Sequence, residues 1–322
     1  MQLNRIREPV AEDLRRIDQV IVERLASDVV LVNQVAQYIV GGGGKRLRPL
    51  SVVLAARACG YPGDKHVDAA AIIEFIHTAT LLHDDVVDSS DRRRGRDTAN
   101  HVFGNEASVL VGDYLYSRAF QMMVGLGNLR IQEVMANATN TIAEGEVLQL
   151  MNAHDPDTTE ERYLEVIYRK TAKLFEAGAQ VAAILSGASP EVEKAMVAYG
   201  RHLGTAFQLV DDSLDYTADG AELGKNVGDD LAEGKPTLPL IYALAHSSAD
   251  DTARLRLAVE NGGVEELESV TRAIESAGGL EYTARLARRE ADLAIDALSR
   301  LPESAYLGSL RALADFAVGR SY

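Results

Sequence analysis

Long apolar segments with helical spacing dominate the first two-thirds of the chain. The segments SVVLAARA, VDAAAIIEFIHTATLLHDDVVD and ASVLVGDYLYSRAFQMMVGL are too long and too continuously apolar for ordinary strands, and they predict helices that are buried on most sides. No proline occurs between residues 63 and 155, so several of these helices can run without interruption. No alternating β pattern of useful length appears. The pattern therefore predicts an all-α protein of roughly ten or more helices.

Short polar turns separate these segments, and no linker divides the chain. GGGG at 41–44, YPGD at 61–64, NAHDPD at 152–157 and TADGAELG at 217–224 have the composition of turns. The region from about residue 245 is more charged but still helical in pattern. We therefore expect residues 1–322 to form a single all-helical domain, a large bundle.

Two acidic motifs of the same form, DDxxD, lie inside the predicted helices. They contain Asp84, Asp85 and Asp88 in HDDVVD, and Asp211, Asp212 and Asp215 in VDDSLD. The first and last carboxylates of each motif share one helix face, and like charges at that spacing destabilise an isolated helix by roughly 0.2–0.5 kcal/mol per pair. Cations are therefore expected between them. Hard oxygen ligands suit Mg²⁺, which usually also binds substrate phosphates, and two such helices can face each other across a shared cavity.

Net charge and the grouping of basic residues narrow the function further. The formal net charge of −15 argues against nonspecific nucleic-acid binding. Basic residues are concentrated in two places: Lys45, Arg46 and Arg48 in GGGGKRLRP, and Arg92, Arg93, Arg94 and Arg96 in DRRRGR. One such run is usually solvated surface charge. Two basic groups together with two acidic ones predict a site for metal-neutralised phosphate.

Composition at the N-terminus and the cysteine content bear on location. Cys59 is the single cysteine, which excludes an internal disulfide and is typical of a reducing cytoplasm. The start MQLNRIREPVAEDLRRIDQV carries charges throughout and has no apolar secretory core. No apolar run reaches the length of about 20 residues that a membrane span needs. We therefore expect a soluble, cytoplasmic protein.

Five motifs in order carry a resemblance to a known family. GGGGKRLRP, EFIHTATLLHDDVVDSSDRRRG, YRKTAKLFE, GTAFQLVDDSLDY and GKNVGDDLAEGKPTLPL resemble the trans-isoprenyl diphosphate synthases, or polyprenyl synthetases, and within them the bacterial octaprenyl diphosphate synthase group. The similarity runs over nearly the whole chain and is weakest near the C-terminus. It implies the isoprenoid synthase fold, a helical bundle around a central elongation cavity.

The resemblance also implies an activity. Farnesyl diphosphate or another allylic diphosphate would condense head-to-tail with successive isopentenyl diphosphates, with two or three Mg²⁺ ions in each active site. The product would be a C40, C45 or C50 all-trans chain for quinone synthesis, passed to membrane enzymes. The family's proton acceptor is the released diphosphate, so no side-chain base is expected. A homodimer is implied as well.

Individual roles follow from the same resemblance. The metal ligands would be Asp84, Asp85, Asp88, Asp211, Asp212 and Asp215, and the catalytic set would also include Arg93, Lys170 and Lys225. The allylic diphosphate or its metals would contact Arg93, Lys170, Thr171 and Gln208, and later phosphate contacts would come from Lys225 and Lys235. Isopentenyl diphosphate would be bound by Lys45, Arg48, His77 and Arg94. Arginine suits this role because its planar fork grips phosphate oxygens in two places.

Several of these positions have a simpler interpretation. His77 could be a core histidine on an apolar helix, although its place two turns before Asp84 favours the phosphate pocket. Asp229 could support the second acidic motif or cap a loop. The roles of His83 and Asp113 stay open, but a buried Asp113 would need a partner.

Product length depends on residues behind the first acidic motif. Ala79 and Thr80 are small, and in the family bulky side chains near these positions stop elongation early, so a short product is not expected. Ile76 continues along the same helix face, and Met123 and Met135 are candidates for the deeper wall or floor. Each methionine could equally fill an ordinary gap in the core.

Two other functions compete with chain elongation. A terpene cyclase shares the helical fold and an acidic motif, but cyclases guide carbocations with aromatic walls, and this chain has no tryptophan and 6% aromatic residues. A noncatalytic subunit that regulates an active synthase would be expected to lose an acidic motif or the basic residues, and neither is lost here.

Overall fold

Helices make up nearly all of the regular structure, as the apolar pattern predicts. A computed structural model describes residues 2–93, 95–217 and 228–319. The model is 81% helical, so the all-α prediction is confirmed. The helices of the first half are α1 (Gln2–Arg7), α2 (Ala11–Leu25), α3 (Val30–Gly41), α4 (Leu47–Ala58), α5 (Lys65–Val87), α6 (Ala99–Phe103), α7 (Asn105–Gly125), α8 (Leu129–Asn152) and α9 (Glu160–Ile167). They are followed by α10 (Lys173–Leu185), α11 (Pro190–Thr217), α12 (Asp229–Ala232), α13 (Leu238–His246), α14 (Ala249–Asn261), α15 (Leu267–Ala277), α16 (Gly279–Ala297) and α17 (Ala305–Val318).

The remaining elements are short. Within the described residues, 3₁₀ turns span Glu8–Val10, Val264–Glu266 and Leu298–Arg300, and a π-helical segment spans Tyr168–Ala172. Strands β1 (Arg92–Arg93) and β2 (Arg96–Asp97) form an antiparallel hairpin after α5, which the sequence pattern does not reveal. None of the described helices combines the length and apolar character needed to cross a bilayer.

Helices α5 and α11 hold the centre of the bundle and carry the two acidic motifs. Helix α5 packs against α2, α4, α7 and α10, and its residues Ile72, Ile73 and Phe75 are fully buried. Helix α11 packs against α10 and α16, and buries Tyr199. Because both helices are surrounded by apolar neighbours, their polar ends are held in fixed positions.

The π-helical segment is clamped between two glycines. A β-carbon on Gly145 of α8 would lie 2.7 Å from the β-carbon of Arg169, and one on Gly204 of α11 would lie 2.5 Å from the α-carbon of Ala172. Any larger residue at either position would push the segment outward. π-Helical turns inside helices occur frequently at functional sites, and this one carries Lys170 and Thr171.

The hairpin is tied to the glycine-rich turn that precedes α4. Arg96 donates from Nη1 to the carbonyl of Gly41 over 3.2 Å, and its guanidinium lies over the Tyr38 ring at 4.9 Å. The Tyr38 hydroxyl donates to the carbonyl of Asp97 over 2.7 Å. These contacts bring Arg93 and Lys45 to the same end of the bundle.

Candidate active site

One cavity gathers most of the residues that the sequence singles out. It has a volume of about 740 Å³ and is bounded by α5, α8, α9, α11 and the π-helical segment. The predicted site residues on its wall are Lys45, Arg48, His77, Thr80, Asp84, Arg93, Lys170, Thr171, Gln208, Asp211, Asp212, Asp215 and Lys235. The acidic and basic groups therefore share one space, as a site for metal-bound diphosphate requires. Arg94 and Lys225 lie outside the described residues.

The outer carboxylates of the first motif each face a lysine. Lys170 Nζ lies 3.4 Å from Asp84 Oδ2 and 2.6 Å from Glu146 Oε2. Lys235 donates to Asp88 Oδ2 over 2.8 Å. Burial lowers the pKa of Lys170, but the carboxylates of Asp84 and Glu146 outweigh it and the pKa is raised. Both ammonium groups are therefore charged at neutral pH.

Asp85 lies behind the described cavity wall and contacts the predicted diphosphate-binding arginine. Its side chain is fully buried, and its Oδ1 accepts a hydrogen bond of 2.7 Å from Arg93 Nε. Its Oδ2 is buried without a hydrogen-bond partner in the described part of the chain. Burial raises the pKa of Asp85, and Arg93 opposes that rise. The arrangement suits a carboxylate that orients Arg93, whereas its predicted metal contact stays a prediction.

The second motif is held by a chain of hydrogen bonds. Thr171 donates to Gln208 Oε1 over 2.8 Å, and Gln208 Nε2 donates to Asp212 Oδ1 over 2.7 Å. The buried hydroxyl of Tyr163 donates to the other carboxylate oxygen of Asp212. Burial, reinforced by the negative charge of Asp230, raises the pKa of Asp212 to about 7. Both carboxylate oxygens of Asp212 are thus held by hydrogen bonds, and Asp211 and Asp215 also line the cavity.

The basic residues of the glycine-rich turn form the other end of the cavity. Arg48 Nη1 lies 3.1 Å from His77 Nε2, and the guanidinium lies 4.8 Å from the centre of the Phe175 ring. Arg46 forms an ion pair with the nearly buried Glu74 of α5. His77 lines the cavity and contacts Arg48, so its surroundings are not purely apolar, and its role in binding isopentenyl diphosphate stays a prediction.

The predicted chain-length residues lie at different depths. Thr80 lines the cavity. Ala79, Ile76, Met123 and Met135 are buried in the main apolar core, outside the cavity wall. Their role in product length stays a prediction.

The structure shows the contacts of the residues whose roles the sequence leaves open. His83 Nε2 lies 3.4 Å from Asp113 Oδ1, and both side chains are partly exposed, so Asp113 has a partner on the neighbouring helix and is not buried. Asp229 begins the short helix α12, directly after Gly228. Gly228 donates its N–H to the carbonyl of Asp215, and Asp230 donates its N–H to the carboxylate of Asp215, both over about 3 Å.

Two polar contacts could not be found from motifs. Glu146 and Tyr163 each bind a predicted site residue, yet each lies within an ordinary amphipathic helix. A charged residue in a segment such as AEGEVLQLMN is a weak signal, because exposed helix faces carry such residues routinely.

The donor chemistry of the cavity fits a hard divalent cation. No group of three or more histidine, cysteine, aspartate or glutamate side chains within residues 2–93, 95–217 and 228–319 is close enough to hold an ion. The cavity instead presents separate carboxylates from Asp84, Asp211 and Asp215. Mg²⁺ is usually bound in this way, by one or two carboxylates together with water and substrate phosphates.

The protein is a helical bundle in which two acidic motifs and a group of basic residues share one cavity. This combination defines the class of isoprenoid synthases. The chain belongs to the polyprenyl synthetase family, whose model matches residues 29–276, and it is a trans-prenyltransferase.

Similar proteins align with nearly the whole chain. It is 59% identical over 321 residues to the octaprenyl diphosphate synthase of Escherichia coli, covering 99% of each protein. It is 48% identical over 313 residues to an all-trans-nonaprenyl-diphosphate synthase (geranyl-diphosphate specific) of Rhodobacter capsulatus, covering 97% of this chain and 96% of that one. The crystal structure of a Caulobacter crescentus polyprenyl synthase complexed with calcium and isoprenyl diphosphate superposes with a TM-score of 0.96 at 42% identity, covering 99% and 98% of the two chains.

Proposed function

We propose that this chain is a long-chain all-trans-polyprenyl diphosphate synthase that makes the C40 octaprenyl product. It would condense farnesyl diphosphate with successive isopentenyl diphosphates to give a quinone side-chain precursor. The observation that carries this proposal is the single cavity in which the Asp84 and Asp211 clusters face Arg93, Lys170 and Lys235. Identity to an octaprenyl synthase exceeds identity to a nonaprenyl synthase, 59% against 48%, which favours C40 over C45 and C50.

The basic residues have distinct tasks in this proposal. Arg93, Lys170 and Lys235 hold the diphosphate of the allylic substrate, and Thr171 and Gln208 fix the second acidic motif beside it. Lys45, Arg48 and His77 hold the isopentenyl diphosphate at the other end of the cavity. The allylic C–O bond breaks, the double bond of isopentenyl diphosphate attacks the cation, and the released diphosphate takes the proton that is lost.

Negative charge grows on the diphosphate as it departs, and fixed positive charge stabilises that state. Mg²⁺, two or three ions in each site, would supply most of this charge through Asp84, Asp88, Asp211 and Asp215. The structural neighbour complexed with calcium and isoprenyl diphosphate supports the use of a divalent cation.

Three broader properties belong to the same proposal. Residues 1–322 act as one domain, two copies associate as a homodimer, and the enzyme works in the cytoplasm and passes its product to membrane enzymes. The exposed apolar side chains of α7 and α8 support the dimer, since large exposed apolar patches often mark interaction surfaces.

One assay tests the function and separates the alternatives. Purified protein is incubated with Mg²⁺, farnesyl diphosphate and labelled isopentenyl diphosphate, and the dephosphorylated products are measured by mass spectrometry. A C40 product, lost on adding EDTA and restored by Mg²⁺, is expected. A C45 or C50 product would correct the chain length. Cyclised farnesyl products without incorporation would indicate a cyclase, and stimulation of a second synthase without incorporation would indicate a regulatory subunit.

A further inference from the structure

Glu146 of α8 contacts the predicted site but belongs to none of its motifs. Its Oε2 lies 2.6 Å from Lys170 Nζ, closer than Asp84 Oδ2 at 3.4 Å. It lines the same cavity as both residues. One ammonium group is therefore shared by two carboxylates, and the shorter contact is to the one outside the acidic motif.

A neighbouring ion pair on the same two elements provides a comparison. Glu144 lies two residues before Glu146 on α8, and its Oε2 lies 2.6 Å from Nη1 of Arg169, the residue before Lys170. This pair is more exposed, and neither of its residues lines the cavity. The two pairs join α8 to the π-helical segment with the same charges, but only one of them lies at the site.

We propose that Glu146 is a positioning residue that draws the ammonium of Lys170 away from Asp84. Held by Glu146, the ammonium lies at the cavity wall, where it can reach an allylic diphosphate. Asp84 is then left with a longer contact and can turn to a cation. This inference rests on the proposed function, because it assigns a task to one more residue of that site.

The consequence of removing the charge of Glu146 follows from the geometry. Glutamine keeps the size of the side chain and an oxygen acceptor but loses the negative charge, so Lys170 would close onto Asp84. Substrate and cation would then have to break that ion pair. Changes to groups that orient the ligands of a metal typically cost about 10- to 100-fold in affinity or activity.

The test compares Glu146→Gln with Glu144→Gln. Binding of an unreactive thiolodiphosphate analogue of farnesyl diphosphate is measured by calorimetry with Mg²⁺. Steady-state constants are measured for both substrates. For Glu146→Gln we expect about 10-fold or weaker analogue binding and a higher Mg²⁺ requirement, with the KM for isopentenyl diphosphate unchanged. For Glu144→Gln we expect wild-type values. Equal behaviour of the two variants would overturn the proposal.

A double variant shows whether Glu146 acts through Lys170. In a Lys170→Gln background, adding Glu146→Gln should not weaken analogue binding further, because the positioned group is absent. Additive losses would mean that Glu146 acts directly or through the fold. Melting temperatures without Mg²⁺ would identify a fold effect, which would also contradict the proposal. An inactive wild-type protein would instead refute the proposed function, while analogue binding still tests the Glu146 contact.

Discussion

At the scale of single residues, Asp85 differs from its neighbours in the first acidic motif. It is buried against Arg93, while Asp84 lines the cavity. We expect Asp85→Ala to weaken allylic diphosphate binding about 10-fold or more, because Arg93 loses the group that orients it. Asp85→Asn keeps an acceptor for Arg93 and should cost less. The KM values of both substrates and the Mg²⁺ requirement are measured to check this. A change in the Mg²⁺ requirement alone would indicate that Asp85 binds the metal instead.

A buried charge cluster far from the cavity should make stability depend on pH. Asp13 accepts hydrogen bonds from Arg57 over 2.9 and 3.0 Å, and the fully buried His66 lies 3.0 Å from Asp13. Burial lowers the pKa of His66, and Asp13 only partly opposes this. As the pH falls below about 6.5, this histidine therefore takes up a proton in the unfolded chain before it does so in the folded protein. The free energy of unfolding decreases over that range.

Replacing the histidine tests this expectation. Between pH 7 and pH 5 the free energy of unfolding of the wild type should fall more steeply than that of His66→Gln, which has no titrating ring. Urea unfolding at pH 7, 6 and 5 measures both slopes. Burial alone would raise the pKa of Asp13, but Arg57 and His66 lower it on balance, so Asp13 adds its own loss only at more acid pH. Parallel slopes for the two proteins would contradict the role of His66.

Sequence reasoning reaches some residues of the site and not others for a physical reason. Asp84 stands in a motif whose spacing carries chemistry, Lys170 and Gln208 come from the family resemblance, and the structure places all three on one cavity. Glu146 and Tyr163 act through contacts that span 24 and 49 residues of chain. Such contacts depend on how helices pack, and a single sequence does not record that packing.

At the scale of elements, the π-helical segment depends on close helix contacts. Gly145→Ala would place a methyl group 2.8 Å from the backbone nitrogen of Lys170, so the segment must shift outward. Because Lys170 and Thr171 move with it, we expect activity to fall by about 100-fold, as misplacement by about 1 Å can cause. Steady-state kinetics and the melting temperature give the measurement.

Gly308 provides a matched control on another helix. An added β-carbon there meets nothing within 4 Å, so Gly308→Ala should keep full activity and gain up to about 1 kcal/mol of stability from better helix propensity. Full activity in Gly145→Ala would show that the segment tolerates displacement. An equal loss in both variants would show that the effect is not specific to the site.

The buried wall behind the cavity bears on product length. Met123 of α7 is 1% exposed and lies in the same apolar core as Ala79 and Ile76 of α5. If it closes the elongation path, Met123→Ala should lengthen the product by one or more C5 units, because truncation opens space beyond Thr80. Mass spectrometry of the dephosphorylated product measures this. An unchanged distribution in a folded variant would remove Met123 from the floor of the path.

Helix prediction succeeds and fails here for related reasons. Long apolar runs such as that of α5 predict a buried helix because no other element can satisfy so many apolar residues in sequence. The strands Arg92–Arg93 and Arg96–Asp97 are too short to carry an alternating pattern. The π-helical turn at Tyr168–Ala172 differs from an α-helix by one hydrogen-bond step, and it is maintained by glycines on two other helices.

At the scale of the whole molecule, the charge distribution separates substrate binding from the rest of the surface. The net charge of −15 repels anions in general, while the basic residues around Lys45 and Arg93 are concentrated at one end of the cavity. A diphosphate is therefore attracted only where carboxylates and cations also meet. Helices α12 to α15 pack with Tyr216 of α11 into an apolar cluster of their own and contribute little of the described cavity wall.

The proposed homodimer rests on apolar side chains that one copy leaves exposed. Val124 of α7 and Leu150 of α8 are 66% and 65% exposed, and Leu110 and Met151 on the same helices are exposed as well. A charged group at such an interface would be buried without a partner, which costs several kcal/mol. The double variant Val124→Glu, Leu150→Glu should therefore sediment as a monomer at concentrations where the wild type is a dimer.

A charge on another exposed apolar position separates association from general surface effects. Leu257 of α14 is 56% exposed and lies among the C-terminal helices, so Leu257→Glu should sediment like the wild type. A wild type that sediments as a monomer would refute the dimer. A dimeric double variant would place the interface elsewhere on the surface. If the monomeric variant also keeps its affinity for the thiolodiphosphate analogue, then one copy alone holds a complete diphosphate site.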